Sequence, residues 1–369
     1  AATPFKYIAV SGTSQSLNLG SYNFFNGATL TGNTTLSFAS VPTQAKWSYT
    51  ISGAEGYDIA NASYDGANFD LNTSAGGSNA YPIAFYINDY GDKMFAAGNN
   101  GIYEYTLSTP WDPTSASYIR AWSPSAQITN NSVKGISFKP DGTKMYLIGH
   151  YDTLMEQYTL NTPWSLASVS NDGNMNYNTG IPTYENQPLS IFFKTDGSSF
   201  YMNGKDSDKV NQYNLTTAWD ITGGHTVAGN STIIQTPGGI WDAPTIWMKS
   251  DGTKMYAISF VGDKIYGYSF GTAWDVTTLT YDGILYAQYA QSGGLAFMCT
   301  NSSGTRMALC GNSSDPHVYG YDIGANHSLT LPSSVQNPVA GPGVGARKTL
   351  DFFTADGGSN VYIIGNNDT

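Results

Sequence analysis

The acidic side chains that could do chemistry in this sequence recur in two settings. Asp-Gly pairs stand at Asp141-Gly142, Asp196-Gly197 and Asp251-Gly252, and Trp-Asp pairs at Trp111-Asp112, Trp219-Asp220 and Trp274-Asp275, with Trp164-Ser165 at a fourth such place. Calcium takes about six oxygen ligands, and one Asp per turn without a closely spaced acidic set reads as plain turn chemistry. A tryptophan series could stack on sugars, but recurrence at one structural position favours packing, the indole filling a sheet edge and the Asp satisfying turn amides. Of the histidines, His150, His225, His317 and His327, none has a zinc spacing, and no serine sits in a Gly-x-Ser-x-Gly elbow. A glycoside-acting enzyme would need two carboxylates at a set separation. Asp152, Asp206, Asp242 and Asp263 are the candidates for such central groups, and spacing along the chain supplies no such distance. The expectation is a protein without catalytic residues, metal or cofactor.

A repeat must position these pairs. Phe138 to Gly149 reads as an apolar run, an Asp-Gly turn and a second alternating run, a tight hairpin, followed by Glu156 to Leu160 and the Pro163-Trp164 corner. The unit returns from Phe193 to Ile221 and from Met248 to Val276, more loosely from Tyr86 to Asp112, and last from Phe297 to Tyr321. The turn glycines Gly91, Gly142, Gly197, Gly252 and Gly304 lie 51 to 55 residues apart, enough for a four-stranded antiparallel sheet and thus a β-propeller. The last copy stops near Ala325, and its missing strand lies upstream: Gly56 to Gly66 reads like Ala273 to Gly283, with Tyr57 in the tryptophan's place. The expected fold is all-β, a five-bladed propeller over 55–325 closed by the 55–71 strand, which leaves no sheet edge unpaired.

On the face away from the Asp-Gly turns, the loops differ between copies, which suits recognition. Aromatic rings beside acids and amides suit a carbohydrate, the rings packing on a sugar's apolar side. The candidate ligand residues are Trp122, His150, Tyr151, Asp152, Tyr184, Asp206, Asp208, Trp241, Asp242 and Asp263.

Only 12% of residues are charged, the net charge is −11, and Lys and Arg form no cluster. That argues against nucleic acid, whose phosphates need clustered bases, and no run of about 18 apolar residues spans a bilayer. A surface of Asn, Ser, Thr, Gly and Tyr is common in extracellular and virion β-proteins. Cys299 and Cys310 straddle the last hairpin turn and are read either as a possible disulfide across paired strands or as two buried thiols.

Residues 1–54 and 326–369 fall outside the repeat and read as short alternating strands, a small β-sandwich split between the two ends. The order Leu30 to Leu36, Trp47 to Ile51, Leu329 to Val335 and Phe352 to Gly358 resembles a β-sandwich module of tailed-phage structural proteins, tail-fibre and head-decoration proteins among them. In that module a short loop joins the equivalents of Ile51 and Leu329; here the propeller occupies the loop, as insertion at adjacent chain ends permits. The resemblance implies a virion surface protein, extracellular, whose sandwich docks on capsid or tail proteins or forms a homo-oligomer. Its propeller would project outward to meet host surface glycans. A secreted lectin-like adhesin is the alternative, and a glycoside-acting enzyme a third reading.

Overall fold

The computed structural model describes residues 7–10, 14–19, 24–29, 34–41, 44–52, 57, 59–74, 82–98, 101–124, 133–149, 153–180, 185, 187–207, 209–231, 245–259, 263–286, 294–312, 315–323, 329–331, 333–336, 347–354 and 361–368. The chain divides into two compact units, one of residues 1–61, 303–305 and 323–369, the other of 62–302 and 306–322.

In the first unit, β1 (Tyr7–Val10), β2 (Ser14–Asn18), β3 (Phe24–Thr29), β4 (Thr34–Ala39) and β5 (Ala45–Ser52) alternate between two sheets. Because each connection crosses to the other sheet, β1, β3 and β5 run parallel in one, and β2 and β4 parallel in the other. Later in the chain, β26 (Leu329–Thr330) joins β4, while β27 (Arg347–Thr354) pairs antiparallel with β5 and with β28 (Tyr362–Asp368). Leu17 and Leu36 from one sheet and Phe25, Tyr49, Leu350 and Phe352 from the other form a single core. Trp47 stacks on Phe352 at 5.4 Å with Phe38 edge-on at 5.1 Å.

The second unit contains five four-stranded antiparallel sheets. The first holds β7 (Ala84–Ile87), β8 (Lys93–Gly98), β9 (Gly101–Leu107) and β10 (Ala116–Trp122). The second holds β11 (Val133–Phe138), β12 (Lys144–Gly149), β13 (Leu154–Leu160) and β14 (Val169–Asn176). The third holds β15 (Pro188–Phe193), β16 (Ser199–Gly204), β17 (Val210–Thr217) and β18 (Asp220–Asn230), and the fourth β19 (Thr245–Met248), β20 (Lys254–Ser259), β21 (Lys264–Phe270) and β22 (Leu279–Tyr286). In the fifth, β23 (Leu295–Thr300), β24 (Arg306–Gly311) and β25 (His317–Asp322) are completed by β6 (Ser63–Asp70) from far upstream. The first strands touch in cyclic order, β7 to β11, β15, β19, β23 and back to β7. The architecture is thus all-β and propeller-like. Second strands are buried almost throughout because sheets cover both their faces, whereas fourth strands such as β10 and β14 expose most of their residues.

Polar straps of two kinds link the first four sheets in succession. Tyr146 Oη donates to the carbonyl of Trp219 at 2.6 Å and Tyr201 Oη to that of Trp274 at 2.8 Å. Third-strand side chains accept backbone N–H groups two residues past the neighbouring Trp: Glu104 from Leu166 at 2.8 Å, Gln157 from Ile221 at 3.0 Å and Gln212 from Val276 at 3.2 Å. Gly267, opposite Tyr256, already removes the amide strap from the fourth sheet, and the step from the fifth sheet to the first has its own arrangement. The third-strand position there is Gly320, opposite Ala308, and the residue after Trp111-Asp112 is Pro113, which has no N–H to donate. Arg306 takes over, binding the Trp111 carbonyl at 2.9 Å together with Asp65 of β6 and Asp322 of β25.

Candidate functional site

The recurrent aromatic and acidic residues are committed to the fold. Trp111, Trp164, Trp219 and Trp274, and Tyr57 at the fifth position, all have φ between +60° and +69°, a left-handed conformation that costs a non-glycine residue about 1 kcal/mol or more. Each backbone N–H bonds the carbonyl of a turn glycine, Gly91, Gly142, Gly197, Gly252 or Gly304. The ring then lies so close over that glycine that an added Cβ would stand 2.1 to 2.4 Å from ring atoms. Glycine is needed twice over here, for its positive φ and for the approach of the ring. The following Asp112, Asp220 and Asp275 accept the N–H and hydroxyl of the threonine two residues on.

The Asp-Gly turns are likewise satisfied from within. Asp141, Asp196 and Asp251 each take a hydroxyl and an N–H from the residue two places on, and a lysine two places back pairs with the other oxygen at 2.7 to 2.9 Å. Burial works to raise the Asp141 pKa, but the Lys139 and Thr143 donors outweigh it and hold it at about 2; Asp196 is held at about 2, chiefly by the Ser198 hydroxyl. Among the described residues no group of three His, Cys, Asp or Glu side chains could hold a metal ion.

Of the sequence candidates, His150, Tyr151, Asp152, Tyr184, Asp208, Trp241 and Asp242 lie outside the described residues. Trp122 is the last residue of β10 and not a loop residue, half-buried and edge-on to Tyr158 at 5.1 Å. Asp263, at φ +50°, accepts the Leu295 N–H at 2.7 Å and so fixes the start of β23. Asp206 is exposed and accepts from Gln187 Nε2 at 3.1 Å. The described candidates thus serve separate sheets.

Cys299 and Cys310 are both buried free thiols. They do not face each other: Cys299 stands opposite Ala308 and Cys310 opposite Phe297, two pairs apart along the ladder. Burial pushes the Cys299 pKa up to about 12 and raises that of Cys310 as well, so neither thiol is a nucleophile at neutral pH.

Two polar clusters escaped the candidate set. Asp315 bridges His317 Nδ1 at 2.7 Å and Tyr319 Oη at 2.9 Å, with the two rings stacked at 5.9 Å. The Asp-x-His-x-Tyr spacing, period two on a strand, was the available signal. Glu185, fully buried, accepts from Gln187 N, Asp206 N, Ser207 N and Ser207 Oγ at 2.9 to 3.2 Å, and so shapes the turn that carries Asp206.

Where the five first strands meet, the space is nearly filled. A cavity of about 20 Å³, room for one water, is lined by Lys134, Ser190, Thr245 and Trp247 among others. Trp247 donates to Thr300 Oγ1 at 2.8 Å and packs edge-on to Phe192. Burial lowers the Lys134 pKa. A larger open cleft, about 560 Å³, lies between the third and fourth sheets and is lined by Lys194, Ser199, Gln212, Asn214, Trp274 and Asp275 among others.

No protein-family model matches the sequence, and neither does any curated protein. Among solved structures the chain is similar to the Cps50 (Swd1) β-propeller domain of Myceliophteria thermophila, at 9% identity and a TM-score of 0.35, over 63% of this chain and 66% of that one. It is similar also to a functionally unknown protein of Desulfotomaculum acetoxidans, at 9% identity and a TM-score of 0.37, over 78% of this chain and 69% of that one. A third, from Bacteroides uniformis and proposed to be a 6-phosphogluconolactonase, has 9% identity and a TM-score of 0.37 over 78% and 72% of the two chains.

Proposed function

We propose that this chain is a five-bladed β-propeller inserted into a β-sandwich built from both chain ends, and that it serves as a non-enzymatic surface protein of a tailed-phage virion. The sandwich docks on capsid or tail proteins or on further copies of the chain, and the propeller meets glycans of the host surface. The observation that carries the reading is the closing strand. Pairing of β6 with β25 brings the chain's entry into the propeller beside its exit, in the same sheet, as insertion into a loop of another domain requires. The segments before and after it share one hydrophobic core, and they are the segments that resemble the phage module. The Trp and Asp residues of the repeat are spent on packing and turns, which leaves recognition to the loops that differ between blades.

The test is a reconstruction by electron microscopy of purified particles, with mass spectrometry of their proteins. The expected result is density for the sandwich on a capsid or tail lattice. A chain that never copurifies with particles and stays a monomer in solution overturns the virion role; glycan-array binding by that monomer would identify an adhesin acting without a particle. Turnover of a polysaccharide by the purified chain would overturn the non-enzymatic assignment.

A further inference from the structure

A comparison of the five blades at one position singles out the third, which alone lacks both partners of an ion pair found in the second, fourth and fifth. In every blade the fourth strand bulges at the same step of its pairing with the third strand, and the extra residue is Ile119, Asp172, Ala228 or Asp282 in the first four and the step starting at Asp65 in the fifth. In the second blade the bulge aspartate holds a network. Lys144, at the start of the second strand, reaches Asp172 at 2.8 Å, Thr159 Oγ1 donates to the same carboxylate at 2.8 Å, and Gln157 Nε2 donates to it at 3.0 Å. The fourth blade repeats this with Lys254, Ser269 and Asp282, and the fifth with Arg306 and Asp65.

In the third blade both charges are gone. The register sets Ser199 where Lys144 and Lys254 stand, Asn214 where Thr159 and Ser269 stand, and Ala228 in place of the aspartate. The volume that a lysine and an aspartate fill elsewhere is here part of the open cleft of about 560 Å³, which Ser199, Gln212, Asn214 and Ala228 line. Its polar groups are left with bonding capacity. Gln212 keeps its strap to Val276 through Oε1, but with alanine at 228 its Nε2 has lost the acceptor that Gln157 Nε2 finds. Asn214 Oδ1 accepts from Ser199 Oγ at 2.8 Å, which leaves its Nδ2 hydrogens for the cleft. Lys194 is already paired with Asp196 at 2.9 Å, and Asp275 contributes one carboxylate at the far wall.

We infer that this cleft between the third and fourth blades is a binding site for a neutral saccharide unit, whose hydroxyls take the place of the ion-pair network found in the second and fourth blades. A ligand that both donates and accepts fits what remains: two amides, serine hydroxyls and one carboxylate. A simple anion would meet no uncommitted cation among the described cleft residues, and a metal ion would find a single carboxylate. The place follows from the register alone; the ligand class rests on the reading of the propeller as a glycan binder, although this site is apart from the variable loops.

The full chain is screened by saturation-transfer NMR against galactose, glucose, N-acetylglucosamine and rhamnose, in wild type, in S199K/A228D, in N214A and in the loop variant D206A. S199K/A228D restores the network of the sister blades, so its melting temperature should not fall, which separates site loss from misfolding. The expected result is binding by wild type and D206A, with affinity reduced about tenfold or more in S199K/A228D and by a smaller factor in N214A, as the loss of a few hydrogen bonds implies. Binding that survives in S199K/A228D overturns the cleft while leaving a glycan-binding propeller standing. Absence of binding by wild type overturns the ligand class for cleft and loops together.

Discussion

Replacement of Gly252 by alanine tests whether the recurring tryptophans are packing elements or ligands in waiting. At Gly252, φ is +72° and a new Cβ would lie 2.3 Å from Trp274 ring atoms, so the indole has to move by more than an ångström. Gly66 has φ +88° and nothing within 4 Å of its notional Cβ, so Gly66→Ala isolates the conformational cost, about 1 kcal/mol. Gly252→Ala adds the strain of overpacking, about 1–3 kcal/mol, for a total of about 2–4 kcal/mol. At about 2–4 °C per kcal/mol for a unit of this size, the melting temperature should fall by about 10 °C in Gly252→Ala and about 3 °C in Gly66→Ala. The assay is thermal unfolding followed by near-ultraviolet circular dichroism, which reports on the propeller because Trp47 is the one tryptophan of the eight in the N- and C-terminal segments. Equal shifts in the two variants would refute the packing argument and reopen the indole as a recognition surface.

Three further outcomes follow from the same contacts. Asp141 and Asp196 have folded pKa values of about 2, below the unfolded value of about 3.9, so their contribution is complete above that value and is lost as pH falls from about 4 to about 2; acid titration of the melting temperature should show the decline in that window, and Asp196→Asn should make it shallower. Arg306→Met removes the donor shared by Asp65, Asp322 and the Trp111 carbonyl and should cost about 1–3 kcal/mol, read as a lower urea midpoint and faster proteolysis before β6; an unchanged midpoint would mean that backbone pairing alone holds the closure. Cys299 and Cys310 should resist a disulfide-exchange reagent in the native protein and both titrate in denaturant; rapid native reaction would contradict their burial.

The repeat was readable because its signals are local. An Asp-Gly turn between alternating runs marks each hairpin, and Tyr57 could be matched to Trp274 because the whole Tyr57 to Gly66 stretch follows the same pattern. The packing role of the tryptophans was readable for the same reason, since five ring-on-glycine contacts come from one spacing. What could not be read is what depends on register. A bulge shifts the pairing by one residue without any mark in composition, so Ala228 looked unremarked in the sequence although it stands where Asp172 and Asp282 anchor lysines. The thiols failed on register too: near-symmetry about Ser303-Gly304 suggested that Cys299 faces Cys310, whereas the ladder from the turn pairs Cys299 with Ala308 and Cys310 with Phe297 and so sets them diagonally. Parallel pairing of β1, β3 and β5 also left no trace, because alternation along a strand says nothing about which way its neighbour runs.

The Arg306 clasp joins residues far apart in the chain, which bears on how the sheet closes as well as on what holds it closed. Its partner Asp65 is 241 residues away in sequence, so completing the last sheet closes a loop that holds the other four. The first four sheets are hairpin-built and local, able to appear in any order, while the fifth has to close a loop whose entropic cost grows with the logarithm of its length. At that seam neither Gly320 nor Pro113 can make the amide strap, and Arg306 holds the Trp111 carbonyl instead. Refolding should therefore pass through an open arc with native-like blades and an unpaired β25, and the lifetime of that arc is the interval in which a second chain could donate its own β6.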